Sequence, residues 1–416
     1  MQSAGSTEVK CAVVGGVYRE LCRFPRSDET WGSGGRAAAV IAGLGIPTVL
    51  YTAADLKTTA LLSSLAHTFQ FEARTDQIPV TYRFQYDHGL SAPLIWPPVS
   101  ESVSLRFDVH AESALVFGML EATPQVFAKR IVYDPQNPVS PAPFAVPPGG
   151  CSSAMAYVLN SAEARKLGQA DDVVEAARMI AETNDLEAVV VKCGPWGAVV
   201  YENGRNERIP AYATHSIWPI GSGDVFAAVF AARWGVQGLP AIEAAEQASR
   251  AAAQYVNDHI LPIPEEALDL NRDFPFKALK LRIQPLDDSD YHVYLAAPFF
   301  NIGQSWLLEE ARLALRTMGL KVFSPCHDVG LGSAHDVAPK DIEAIRHSRT
   351  MLALIDGLDA GTIFEVGYAR SLGIPVIALA QSTPEEPLKM IKGSGCNVVS
   401  DFVTGIYQTS WAAQRE

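Results

Sequence analysis

No CxxC pair occurs in this 416-residue chain: Cys11, Cys22, Cys151, Cys193, Cys326 and Cys396 are scattered, and the nine histidines form no HExxH or HxxxH set. A structural metal site is therefore not expected, and no metal ligand is predicted directly. Basic charge is short as well. With 33 Lys and Arg against 46 Asp and Glu the net charge is −13, which argues against wrapping a nucleic-acid backbone and leaves a small-molecule substrate open. One uncharged apolar run, residues 37–54, has about the length of a membrane span, but Gly43, Gly45 and Pro47 break it into a helix followed by a strand. No membrane segment is predicted. Residues 1–9 are polar and lack a basic-then-apolar leader pattern, so the expectation is a reduced, cytoplasmic chain without a disulfide framework.

What is present is globular in composition: 48% hydrophobic and 19% charged residues. The length exceeds one ordinary core and predicts two or three domains. Residues 9–16 read as a buried first strand ending in Gly15-Gly16. A flexible glycine loop follows at 31–36, then an alanine-rich helix at 37–44. Alternation through 81–86 predicts an exposed antiparallel strand. Residues 130–134 read as a strand ending in the acid Asp134. Residues 134–150 hold six prolines and two glycines, which suits either an interdomain linker or a long active-site loop. Strands and helices then alternate: strand 156–160, helix 161–167, strand 188–193, helices 225–234 and 241–256. That rhythm predicts a mainly parallel sheet covered on both faces.

Prolines and mixed charge in 261–290 mark a linker, giving domains at 1–260 and 291–416. In the second, strands at 292–297, 321–324, 351–355 and 375–380 alternate with helices at 305–318, 340–347 and 364–372. No repeat relates the two halves. Its organising stretch is 356–370, where Asp356 ends a strand and Gly357 and Gly361 let the loop turn tightly. Asp359 and Glu365 then either cap a helix and face water, or point into the crevice at the carboxyl edge of the sheet, with the helix dipole favouring ionised Glu365.

Tyr294-Leu295-Ala296-Ala297-Pro298-Phe299-Phe300, the 340–345 segment with Asp341, Asp359-Ala360-Gly361-Thr362 and Glu365-Val366-Gly367-Tyr368-Ala369 occur in that order. Together they resemble the nucleoside 2-deoxyribosyltransferase family, with its related nucleotide N-glycosidases, over roughly residues 291–400. The resemblance implies a flavodoxin- or Rossmann-like fold, Glu365 as nucleophile, Asp341 and Asp359 as the acids that handle the base and its proton, and Tyr294 beside the nucleophile. Pro298, Phe299, Gly361 and Thr362 would line the substrate, and no cofactor is implied. An ionised carboxylate can capture the positive sugar carbon while a second acid assists the leaving base, and a ring of acids raises some carboxylate pKa values. The family's shared sites imply a homo-oligomer, although Leu388 stands two positions before Met390 where several members have a polar residue reaching a neighbouring subunit.

Gly221-Ser222-Gly223-Asp224 at a helix start, with Gly34-Gly35, Asn160-Ser161-Ala162-Glu163 and Lys192-Cys193-Gly194 before Gly197, resembles the ribokinase-like (PfkB-type) kinases over about residues 9–256. The resemblance implies Asp224 as the base on the acceptor hydroxyl, and Gly221, Ser222 and Gly223 as the hole for the transferred phosphoryl group. Asn160 and Glu163 would organise phosphate and Mg²⁺, and Gly194 would line the phosphate or nucleotide side. ATP and Mg²⁺ would be needed if this domain is active. Three positions depart from the pattern. Trp218-Pro219 replaces an Asp-Thr pair, the asparagine usual after the early Gly-Gly is replaced within Arg36-Ala37-Ala38-Ala39, and the early sugar-gripping aspartate is missing, Glu20 being the nearest acid.

The expected fold class is α/β, with two doubly wound parallel-sheet domains, a larger ribokinase-like one followed by a smaller one. The expected function is a bifunctional enzyme of nucleoside metabolism. Its C-terminal domain would cleave or transfer an N-glycosidic bond of a (deoxy)nucleoside or its monophosphate, with a free nucleobase as the other partner. Its N-terminal domain would be a sugar or nucleoside kinase or its degenerate descendant. Two other readings stay open: a kinase with a nucleotide-sensing C-terminal domain, and a non-catalytic nucleotide-binding regulatory protein.

Overall fold

The computed structural model describes residues 9–99, 105–281 and 286–415; residues 1–8 and positions 282–285 of the expected linker lie outside that set. The described chain forms two compact units. The larger holds the described residues up to Thr214 together with Trp218–Ala278, and the smaller holds His215–Ile217 and the described residues from Leu279 onward.

In chain order the larger unit contains β1 (Val9–Val14), β2 (Arg19–Phe24), β3 (Ser27–Thr30), α1 (Gly32–Gly43), β4 (Thr48–Ala54), α2 (Leu56–Phe69), β5 (Glu72–Gln77), β6 (Arg83–His88) and β7 (Leu94–Trp96). Then come β8 (Asp108–Phe117), β9 (Gln125–Asp134), β10 (Cys151–Asn160), α3 (Ser161–Gly168), α4 (Val173–Asn184), β11 (Ala188–Lys192), β12 (Ala198–Glu202), β13 (Arg205–Ile209) and β14 (Tyr212–Ala213). It closes with α5 (Ser222–Phe230), α6 (Ala241–Asp258), α7 (Glu265–Leu268) and β15 (Lys277–Ala278). Residues 261–278 of the expected linker thus belong to this unit.

Nine strands form one sheet in the order β13-β12-β11-β10-β9-β8-β1-β4-β5. Its parallel part runs from β11 to β5, and β12 and β13 add antiparallel. Strands buried on both faces read as continuous apolar runs, and β1 shows why: Cys11 and Val13 join the core beneath α1, α5 and α6, while Ala12 and Val14 join a second core on the opposite face. Each buried valine of this strand contributes about 1.5–3 kcal/mol by leaving water. The chain leaves β1 toward β4 on one side and β8 on the other, so the carboxyl ends of β1 and β8 define a topological switch point, where such sheets open a crevice.

A four-stranded sheet, β3-β2-β6-β7, is separate. Here β6 pairs parallel with β2 and antiparallel only with β7, so the expectation of a simple antiparallel strand at 81–86 is half right. The glycine loop expected at 31–36 is instead the first turn of α1. A Cβ on Gly34 would stand 2.4 Å from the carbonyl oxygen of Gly15, so glycine serves close packing there rather than flexibility. The proline-rich stretch after Asp134 is a loop joining β9 to β10 within one sheet.

The smaller unit contains β16 (Tyr291–Ala296), α8 (Ile302–Thr317), β17 (Val322–Phe323), α9 (Pro325–Asp328), α10 (Ala334–Arg346), β18 (Ser348–Leu354), α11 (Ala360–Ser371), β19 (Val376–Leu379), α12 (Glu385–Gly393), β20 (Asn397–Val399) and α13 (Phe402–Gln414). Its five-stranded sheet is parallel throughout, in the order β17-β16-β18-β19-β20. Tyr294, Ala296, Met351, Ala353 and Ile355 meet α10, α11 and α12 on one face. The switch point falls between β16 and β18. Among the described residues, no helix is long and apolar enough to cross a membrane.

Candidate functional site

At the β16–β18 switch point of the smaller unit, α11 begins directly after the strand-end loop 355–359. Asp359 caps it, its Oδ2 accepting from the Thr362 N–H at 2.8 Å and the Thr362 hydroxyl at 3.0 Å. Gly361 lies within this turn, where a Cβ would come 3.1 Å from the Asp359 carboxylate. Glu365 sits one turn further into the helix. Its Oε1 accepts a hydrogen bond of 2.7 Å from the phenol of Tyr294, a fully buried residue of β16.

Burial pushes Glu365 up to about 7; the Tyr294 hydrogen bond opposes this, and the nearby charges of Asp341 and Asp359 add to it. The expectation that the helix dipole would favour the ionised form is therefore corrected. Glu365 lies on the second turn, beyond the reach of most of the dipole's effect, and desolvation wins. Asp341, from α10, is also raised by burial, and its Oδ1 is buried without a partner. The Tyr294 phenol is held protonated by burial and by the carboxylate it faces. Sequence-distant Tyr294, Asp341, Asp359 and Glu365 thus form one electrostatic group. Pro298 lines a neighbouring cavity of ≈ 180 Å³ with Gln304, Leu307, Leu354, Asp356 and Leu379, and Phe299 stacks on Phe300 with centroids 5.6 Å apart.

Asp356 has a role the sequence did not reveal. Its carboxylate accepts from the N–H groups of Gln381, Ser382 and Thr383 and from the Thr383 hydroxyl at 2.7–3.0 Å. Burial works to raise this group, but the hydrogen bonds outweigh it and hold Asp356 below the usual carboxylate range. Asp356 thereby ties the end of β18 to the loop after β19. Leu388 is buried in the unit's own core, whereas Met390 is exposed.

In the larger unit, the 221–224 turn, Lys192 and the loop after β9 come together. Gly221 has φ +84°, a left-handed conformation that favours glycine, and it opens α5 with Ser222, Gly223 and Asp224 in the first turn. Asp224 accepts from Gln136 Nε2 at 2.9 Å and from Arg36 Nη1 at 2.7 Å. Lys192 pairs with buried Asp134 at 2.5 Å, and a Cβ on Gly223 would lie 3.4 Å from Lys192 Nζ. Burial pushes Asp134 up against the pull of Lys192.

Asn160 and Glu163 form a capping box on α3: Asn160 Oδ1 accepts from the N–H groups of Ala162 and Glu163, and Glu163 Oε2 from that of Asn160, all at 2.9 Å. Glu163 Oε1 is buried without a partner. Gly194 starts a short 3₁₀ turn after β11. Among the described residues, no group of three or more His, Cys, Asp or Glu is placed to hold a metal ion; the charges of Glu163 and Asp224 both act on Asp134. Glu20 and Arg36 were visible only as departures from a pattern, yet they are central to this cluster.

The model of the nucleoside 2-deoxyribosyltransferase family matches residues 293–398, and that of the pfkB family carbohydrate kinases matches residues 150–265. The chain therefore joins a kinase-like region to a nucleoside deoxyribosyltransferase-like region, both similar to enzyme families. Among solved structures, it is similar to a ribokinase from Thermotoga maritima (17% identity, TM-score 0.44, covering 62% of this chain and 97% of that one). Phosphofructokinase-2 from Escherichia coli (13%, 0.46, 62% and 96%) and a fructokinase from Vibrio cholerae (14%, 0.45, 62% and 98%) are also similar. No curated protein matches the chain.

Proposed function

We propose that the smaller unit breaks the N-glycosidic bond of a nucleoside or nucleoside monophosphate by way of Glu365. The observation that carries this reading is the 2.7 Å hydrogen bond from Tyr294 to Glu365 at the β16–β18 switch point, with Asp341 and Asp359 close enough to act on the Glu365 charge. The match over residues 293–398 supports it.

In the first step the ionised Glu365 carboxylate forms a bond to the anomeric carbon. The carbon–nitrogen bond breaks, its electron pair leaves with the base, and protonated Asp341 supplies the proton that neutralises the base. Tyr294 fixes the nucleophilic oxygen through its hydrogen bond. In the second step water or another nucleobase attacks the same carbon and Glu365 leaves as carboxylate; the proton released from the attacking group returns to Asp341. Asp359, held as the helix cap, keeps the 359–362 turn in shape beside the sugar. The step needs no metal or organic cofactor.

The larger unit accompanies this activity as a degenerate kinase descendant, and we place no phosphoryl transfer on it. The test is chromatography of ribo- and deoxynucleosides and their monophosphates after incubation with the protein, with and without an added free base. Free base released by the wild type and lost in Glu365→Ala is the expected result, and a new nucleoside with added base would identify transfer. A panel from which no member loses its base refutes the reading.

A further inference from the structure

Arg36, in the second turn of α1, is fully buried and carries no exposed surface at all. Its Nε donates to the Tyr255 hydroxyl at 3.1 Å, Nη1 to Asp224 Oδ2 at 2.7 Å and to the Gly32 carbonyl at 3.4 Å, and Nη2 to Glu20 Oε2 at 2.5 Å. Tyr255 in turn donates to the Ile220 carbonyl at 3.1 Å, which closes the ring onto the turn that precedes α5. A Cβ on Gly221 would lie 2.2 Å from Arg36 Cζ, so this turn and the guanidinium are packed directly against each other.

A hydroxyl that Asp224 is to deprotonate must come within hydrogen-bond reach of its carboxylate. One oxygen of Asp224 accepts from Gln136, an exposed residue whose own amide oxygen accepts from the Ser33 hydroxyl at 2.6 Å. The other accepts from Arg36, which is fully buried. Removing the guanidinium leaves the partly buried carboxylates of Glu20 and Asp224 close together, with Lys192, already paired to Asp134, as a cation near Asp224; that is a costly way to break an ion pair with a buried member. A neutral polyol brings hydroxyl donors but no charge, so it is a poor replacement for a cation between two acids.

We infer that Arg36 determines what this cleft accepts: it occupies, from inside the fold, the place beside Asp224 that a phosphoryl acceptor would need, and it closes the larger unit to neutral sugar and nucleoside hydroxyls. The arginine and Glu20 act as a pair. Each stands where the kinase pattern is broken, and together with Gln136 they place a donor on both oxygens of Asp224, with one cation held between two acids.

The experiment uses the full chain. Wild type and Asp224→Asn are incubated with ATP, Mg²⁺ and a panel of sugars and nucleosides, and thermal unfolding is recorded for Arg36→Gln, Asp224→Asn and the double variant. Arg36→Lys, which keeps the charge with fewer donors, is a second variant in case Arg36→Gln does not fold. The wild type is expected to form no phosphorylated product above the Asp224→Asn background. Arg36→Gln is expected to lower Tm by roughly 6 °C or more, and the double variant to lose clearly less than the two single losses added together. A phosphorylated product that disappears in Asp224→Asn overturns the inference. So do losses that simply add, because they would mean that Arg36 and Asp224 are not energetically joined.

Discussion

The phenol of Tyr294 donates to Glu365 across 2.7 Å, linking the buried middle of β16 to the second turn of α11. A hydrogen bond to a charged group contributes about 1.5–3 kcal/mol. Tyr294→Phe should therefore lower the rate of base release roughly 10- to 100-fold. Because this bond also works to lower the Glu365 pKa, its loss should move the acid limb of the pH–rate profile to higher pH. A profile that drops in height without moving would contradict that role.

With Glu365 at about 7, the nucleophile is only partly ionised in neutral solution. The rate should climb through pH 7 on the acid side. Asp359→Asn removes a negative neighbour while asparagine still caps the helix, so it should shift that limb downward with little change in Tm. Measuring kcat/KM against pH for both proteins checks the direction.

Asp341→Asn should cost about 10²- to 10⁴-fold in rate on ordinary nucleosides, the usual weight of a general acid. Substrates whose base leaves without needing a proton should be affected far less. Equal losses on both substrate types would remove Asp341 from the proton-donor role.

Stability should respond to pH at the same group. Glu365 binds its proton more tightly in the folded state, at about 7, than at its ordinary value of 4.5, so between those values the folded protein holds more protons and loses stability as pH rises. Glu365→Gln, which cannot ionise, should therefore unfold at a higher temperature than wild type at pH 8, and the difference should vanish near pH 4.5. Thermal melts across that range would show it; a constant difference would not fit.

Asp356 behaves in the opposite sense. Its pKa is held below 3.8 by hydrogen bonds from 381–383, so its contribution is present above that value and is lost as pH falls through the lowered folded pKa. Asp356→Ala leaves three backbone N–H groups without their acceptor and should cost about 2 kcal/mol or more, read as a lower Tm of the smaller unit at pH 7.

Much of this architecture was legible because parallel strands buried on both faces write their presence as apolar runs. The strands at 188–193 and 351–355 and the helix at 241–256 emerge within a few residues of β11, β18 and α6. The glycine-rich start of α1 was not legible, since a glycine chosen for close packing against Gly15 looks the same in sequence as one chosen for flexibility. The expectations for the second domain end at the strand 375–380, so helices α12 and α13 come from the structure alone. At the site, motif spacing named Glu365, Asp341, Asp359 and Tyr294, but the balance of burial against the helix dipole at Glu365 depends on the fold. Arg36 and Glu20 stand 16 positions apart and reach Asp224 through tertiary structure alone, so their ion pairs had no signature in the chain.

The most direct test of the central claim is a mass measurement on protein quenched with acid during turnover of a nucleoside that releases its base. The account predicts an added mass equal to one glycosyl group, mapped by proteolysis to the peptide containing Glu365 and absent from Glu365→Ala. Base release that continues at the wild-type rate in Glu365→Ala, or a glycosyl group found on a different residue, would contradict it.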